Sequence, residues 1–135
     1  YLTPRPRSVR LRQKGEKFEM TQKMEAVPGD ASRKIEHNIM VDKRIYDALR
    51  PLSLRSLEKT RYYLDLPDGL TAELDVFHGN LEGLAMVEVE FPDEDSRSAF
   101  KAPDWFGRDV SQEEWSSNSY LAGKKFHDIE SCLKN

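Results

Sequence analysis

The chain has 135 residues, a length that fits one domain, with 38% hydrophobic and 33% charged residues, so it can bury a core but not from every strand face. Lys and Arg total 21 against 24 Asp and Glu, a formal net charge of −3. No bulk basic excess points to nucleic acid, and any anion site must come from local clustering. No apolar run is long enough to span a membrane. Cys132 is the only cysteine, which excludes an internal disulfide and makes a reducing, cytoplasmic compartment the simpler reading.

The chain opens on Tyr1 rather than Met, in strand-like sequence, so missing N-terminal residues are expected and a removed targeting segment is left open. Residues Ser8 to about Lys14 alternate with period two, and the pattern resumes from Lys17 to Met24 across a Lys14-Gly15-Glu16 hairpin turn. Val27-Pro28-Gly29-Asp30 reads as a second turn, and Lys34 to Val41 as a third strand. Asp42 can cap a short helix with Ile45, Tyr46 and Leu49 on one face, stopped near Pro51. Ser56 to Leu66 is a long strand, turned by Pro67-Asp68-Gly69 into Leu70 to His78. His78-Gly79-Asn80 turns again into Leu84 to Phe91. Pro92-Asp93-Glu94-Asp95 is an acidic helix start that suits the helix dipole, with Ala99 and Phe100 as its buried residues. Phe126, Ile129 and Leu133 have the spacing of a C-terminal helix. Strands joined by tight turns imply a mostly antiparallel sheet in an α+β fold.

The chemical signal is a segregation of charge sign. Val9-Arg10-Leu11-Arg12 places two arginines on one strand face, and Lys59 and Arg61 share a face in Glu58-Lys59-Thr60-Arg61-Tyr62. Ala72-Glu73-Leu74-Asp75-Val76 and Val87-Glu88-Val89-Glu90-Phe91 do the same with carboxylates. Side chains two apart on a strand lie about 7 Å from one another on one face. For any single strand, a solvated outer face is the better reading, because antiparallel sheets commonly wet one side. Like charges close together repel, however, and paired cations on some strands with paired acids on others are costly unless neutralised. A polyphosphate would neutralise the cations, and Mg²⁺ or Mn²⁺ the carboxylates. Thr21-Gln22-Lys23 adds a cation on the second strand, and Glu36 and Asn38 an acceptor pair on the third. His37 and His78 lack zinc-site spacing, and Ser, Cys and His form no recognisable nucleophile set. Trp105, Phe106 and Trp115 could stack on a base, but core packing has the higher prior.

Taken in order, these segments, together with Glu73-Leu74-Asp75-Val76-Phe77 and Trp105-Phe106-Gly107, resemble the CYTH domain, or triphosphate tunnel metalloenzymes, in the short single-domain bacterial form. The likeness runs from Tyr1 to about Ala122. It implies a single domain over 1–135, folded as an antiparallel eight-stranded β-barrel with short flanking helices and a charged tunnel. It implies that Arg10, Arg12, Lys23, Lys59 and Arg61 bind a triphosphate. It implies divalent metal at Glu88 and Glu90, with Glu36 and Asp75 as further acidic positions, and Tyr1 as a proton acceptor. The family's opening Glu-x-Glu-x-Lys strand has no counterpart here, which implies an N-terminally incomplete barrel of low activity. Asn38 stands where members often carry a second acid. Near the end, Trp115-Ser116-Ser117-Asn118 keeps only the asparagine of a basic–tyrosine–asparagine pattern.

The expected function is metal-dependent hydrolysis of a triphosphate, most simply inorganic triphosphate. A class IV-type adenylate cyclase, a non-catalytic polyphosphate- or nucleotide-binding module, and an ordinary sheet domain with a charged exterior are the alternatives. The sequence leaves a homodimer open.

Overall fold

The computed structural model describes residues 1–5, 8–29 and 34–134; Asp30 of the second expected turn lies outside them. In chain order the elements are β1 (Ser8–Lys14), β2 (Lys17–Glu25), β3 (Lys34–Val41), α1 (Lys43–Leu49), β4 (Glu58–Asp65), β5 (Thr71–His78), β6 (Ala85–Val89), α2 (Glu94–Ala99), α3 (Asn118–Leu121) and α4 (Phe126–Ile129), with short 3-10 turns between several of them. The chain divides into two compact units. One is Tyr1–Ser56 with Asn118–Gly123, and the other is Leu57–Ser117 with Lys124–Asn135.

In the first unit β1, β2 and β3 form an antiparallel sheet in that order. Lys14 pairs with Lys17, leaving a two-residue loop that starts on Gly15 at φ +62°, the positive φ such a hairpin loop requires. The Asp42 carboxylate accepts from the Ile45 N–H at 2.8 Å and caps α1. Of the three apolar residues expected on one buried face of this helix, Tyr46 packs on Phe18 with ring centroids 4.8 Å apart and Leu49 is half-buried. Ile45 is exposed, because a seven-residue helix covers too little of the sheet to bury a full face.

The second unit holds β4, β5 and β6, again antiparallel in chain order. The Pro67-Asp68-Gly69 turn forms as expected, with Asp68 and Gly69 both at positive φ. Ala72, Phe77, Leu81, Leu84, Trp115 and Ile129 are its buried hydrophobic residues. Asp93 caps α2 through the Ser96 N–H at 2.7 Å. Phe100 packs edge-on against Phe91 at 5.1 Å, whereas Ala99 is exposed rather than buried. The expected C-terminal helix is a single α-turn, α4, followed by a 3-10 turn over Glu130–Lys134, which leaves Leu133 41% exposed.

The strand count corrects the expected barrel. Among the described residues six strands form two three-stranded sheets, not eight strands in one closed barrel. The stretch after Val89, where further strands would have to lie, forms α2, α3, α4 and irregular turns. Pro92 and Pro103 cannot donate to a strand ladder, and the acids at 93–95 start a helix instead.

Candidate active site

Pairing in the first sheet places Arg10 opposite Thr21 and Thr21 opposite Asn38. In the flanking rows Ser8, Lys23 and Glu36 are opposite one another, as are Arg12, Glu19 and Met40. Because alternate residues share a face, Arg10 and Arg12 lie on the same side of this sheet, as the sequence pattern predicts, and the register adds Lys23 and Glu36 to it. Val9, Leu11 and Met20 take the other side. Arg10 is 12% exposed and comes within 3.6 Å of Glu36, so its side chain reaches across β2 to β3. Its buried Nε has no hydrogen-bond partner. Arg12 lies 3.6 Å from Glu19, an acid that the sequence reading passed over although it alternates in register with Thr21 and Lys23.

In the second sheet Arg61 is opposite Asp75, Lys59 opposite Phe77, and Glu73 opposite both Tyr63 and Glu88. Lys59, Arg61, Glu73, Asp75 and Glu88 therefore share one face. Lys59 Nζ donates to Asp75 Oδ2 at 2.5 Å. Arg61 donates to Asp75 through Nε at 2.7 Å and Nη2 at 2.9 Å, and its Nη1 is 2.8 Å from Glu73. Burial pushes the Asp75 carboxyl up, but the hydrogen bonds from Arg61 and Lys59 outweigh it and hold it below the ordinary range. Those bonds raise Arg61 in turn. Burial lowers Lys59, and this exceeds the opposing pull of Asp75, whose charge is shared with Arg61.

Each of these faces shelters part of its polar row from water, while Lys23, Glu36 and Glu88 on them are exposed. Among the described residues the two buried polar ones, Thr21 at 1% and Asp75 at 2% exposure, both lie on them. That distinguishes them from a solvated sheet exterior, where the most polar strand positions would be the wettest.

The acidic positions divide by partner. The resemblance gives Asp75 to a metal, whereas in the structure both its oxygens accept from cations. Glu36 faces Arg10. Glu88 is exposed and directly opposite Glu73, and Glu90 follows just beyond β6. Two carboxylates in direct cross-strand register repel unless a cation relieves them. Among the described residues no three His, Cys, Asp or Glu side chains form a ready-made metal cage. Mg²⁺ and Mn²⁺ need none, since Mg²⁺ is commonly held by one or two carboxylates plus phosphate oxygens. Oxygen donors from Glu88 and its neighbours fit that chemistry.

Tyr1 is fixed by a residue that the sequence reading did not single out. The Arg55 guanidinium lies 4.5 Å over the Tyr1 ring, the Tyr1 nitrogen donates to the Arg55 carbonyl at 2.8 Å, and the Leu54 N–H donates to the Tyr1 carbonyl at 2.9 Å. Arg55 also donates to the carbonyl and hydroxyl of Ser119. A lone arginine between strands carries no periodic signal. Only the structure shows what it ties together.

Fold and site together define an α+β protein whose two antiparallel sheets each gather cations and carboxylates on one face. The chain is 45% identical over 125 residues to the inorganic triphosphatase of Nitrosomonas europaea, an alignment covering 90% of this chain and 80% of that protein. It is 39% identical over 74 residues to the inorganic triphosphatase of Acetivibrio thermocellus, covering 55% of this chain and 46% of that one. Two crystal structures of NE1496, one described as a hypothetical protein and the other as an inorganic triphosphatase, superpose with TM-scores of 0.73 and 0.70 at 40% identity. They cover 93% and 90% of this chain and 82% and 80% of theirs. No family model matches the sequence. The chain belongs to the inorganic triphosphatase family.

Proposed function

We propose that this protein hydrolyses inorganic triphosphate to diphosphate and phosphate, as a triphosphate tunnel metalloenzyme of the CYTH type. The observation that carries the reading is the partly buried row of cations and carboxylates on each sheet, supported by kinship to inorganic triphosphatases. Phosphoryl transfer needs positioning and charge neutralisation more than a protein nucleophile, and these faces supply both. Arg10, Arg12 and Lys23 on the first sheet, and Lys59 and Arg61 on the second, are the cations suited to phosphate oxygens. Guanidinium forks match phosphate geometry, and the ammonium groups act as point charges. Asp75 keeps Lys59 and Arg61 aligned before substrate arrives, so little reorganisation is needed as charge develops. Tyr1, held by Arg55, accepts a proton. Glu88 and Glu90 would hold Mg²⁺ or Mn²⁺, which when bound neutralises phosphate charge and lowers the pKa of an attacking water; Glu36 is a further acidic position, on the first sheet.

Among the described residues no helix is long and apolar enough to cross a membrane. The single cysteine, Cys132, suits work in a reducing compartment such as the cytoplasm.

The test is phosphate release from tripolyphosphate, ATP and thiamine triphosphate with Mg²⁺ and with Mn²⁺. Metal-dependent release that favours tripolyphosphate is expected. Absence of release from all three would overturn the hydrolase reading, and cyclic AMP formed from ATP would favour a cyclase.

A further inference from the structure

The central row of the first sheet holds a polar pair that the mechanism above does not use. Thr21 is 1% exposed, and its hydroxyl donates to the Asn38 side-chain carbonyl across the β2–β3 pairing. A carboxamide whose oxygen is taken in this way turns its NH₂ group away from the bond, and that group only donates. Asn38 is exposed, on the same face as Arg10 and Lys23. Arg10 crosses β2 and reaches β3 at Glu36, two residues from Asn38, and its buried Nε still lacks an acceptor. Donors thus converge on this row.

We propose, resting on the triphosphatase reading, that Asn38 is a substrate-contacting residue that donates its amide N–H to a phosphate oxygen, and that Thr21 is the positioning residue that sets its orientation. An acid at this position would serve a metal. The amide, with its oxygen already engaged, serves the anion and adds a neutral donor beside the cations. Neutrality has a consequence: the contact adds selectivity for oxygen geometry without further raising the charge on a face that already gathers three cations.

The experiment measures tripolyphosphate binding by calorimetry without metal, and KM, kcat and the metal concentration for half-maximal rate. Asn38→Ala is expected to raise both Kd and KM about tenfold with kcat little changed, the usual scale for a hydrogen bond to a charged group. Asn38→Asp is expected to raise them further, because a carboxylate repels the anion, without lowering the metal requirement. Thr21→Val should reproduce much of the Asn38→Ala effect, and Thr21→Ser should restore binding. A tripolyphosphate Kd unchanged in both Asn38 variants would overturn the proposal. So would an Asn38→Asp enzyme that needs less metal, which would make this position a metal contact. Asn38 is exposed, so its variants are expected to fold and keep the test decisive even where Thr21→Val does not. If the wild-type protein neither binds nor hydrolyses tripolyphosphate, the triphosphatase reading has failed and this proposal falls with it. Wild-type turnover with unaffected variants refutes the Asn38 assignment alone.

Discussion

Asp75 accepts from Arg61 through both of its oxygens, Oδ1 from Nε at 2.7 Å and Oδ2 from Nη2 at 2.9 Å, across the β4–β5 pairing. The planar fork of the guanidinium meets the planar carboxylate, which fixes the arginine's orientation as well as its charge. Lys59 approaches the same Oδ2. One carboxylate therefore sets the position of two cations on one face.

Removing that carboxylate should be expensive. Asp75→Ala removes the carboxylate shared by Lys59 and Arg61, which are 16% and 28% exposed, and leaves Arg61 only its pair with Glu73. The expected loss is about 3 kcal/mol, the lower end for breaking a buried pair, since both cations keep some water. Urea denaturation measures it, and a loss below 1 kcal/mol would contradict the structural role.

The same pair predicts an acid limb. Asp75 has a folded pKa below its ordinary value, so over that interval the unfolded chain binds more protons than the native one. Its contribution is complete above the ordinary aspartate range and is lost as pH falls through the lower folded value. Urea midpoints measured from neutral pH downward should fall in that window, and Asp75→Asn should flatten this part of the profile.

Lys59 predicts the alkaline behaviour. Its pKa is lowered, so it gives up its proton at a lower pH than free lysine, and the cation proposed to face the substrate is lost there. KM for tripolyphosphate should begin to rise below pH 10.5, the ordinary lysine value. A Lys59→Arg enzyme should hold KM flat through the same range. A wild-type KM that is constant to pH 10.5 would remove Lys59 from the binding face.

Gly83 ties the backbone to the acidic pair. It sits at φ +104° between the buried Leu81 and Leu84, and a Cβ there would be 3.4 Å from the Phe126 ring. The turn it permits leads β5 back as β6, which puts Glu88 opposite Glu73. Gly83→Ala should cost about 2 kcal/mol through strain at a φ that L-residues rarely adopt. Thermal denaturation checks the stability loss, and the metal requirement should rise with it.

The period-two alternation of charge was enough to pair Arg10 with Arg12, Lys59 with Arg61 and Glu73 with Asp75, because strand geometry leaves alternate residues no choice, whereas joining Lys23 and Glu36 to the first pair and Asp75 and Glu88 to the second took the register. Turn residues set the hairpins for the same local reason. What the sequence hid was non-local. Segregation of sign along the chain is not segregation in space: antiparallel pairing sets Arg61 directly against Asp75, so the charges neutralise each other in part before any ligand arrives. Burial of Thr21 and the hold of Arg55 on Tyr1 depend on residues distant in sequence, and no periodic pattern records them. The number of strands was overestimated for a related reason, since family likeness speaks of a whole barrel while prolines and helix-starting acids after Val89 act locally.

The most direct test of the central claim, that cations on these charged faces bind a triphosphate for metal-assisted hydrolysis, is the rate of phosphate release from tripolyphosphate by the wild-type, Arg10→Ala and Arg61→Ala proteins, with and without Mn²⁺. The account predicts release that requires the metal and falls about 10²–10³-fold in each variant, the scale for removing a preorganised electrostatic donor. Release that persists without metal, or that both variants retain at the wild-type rate, would contradict it.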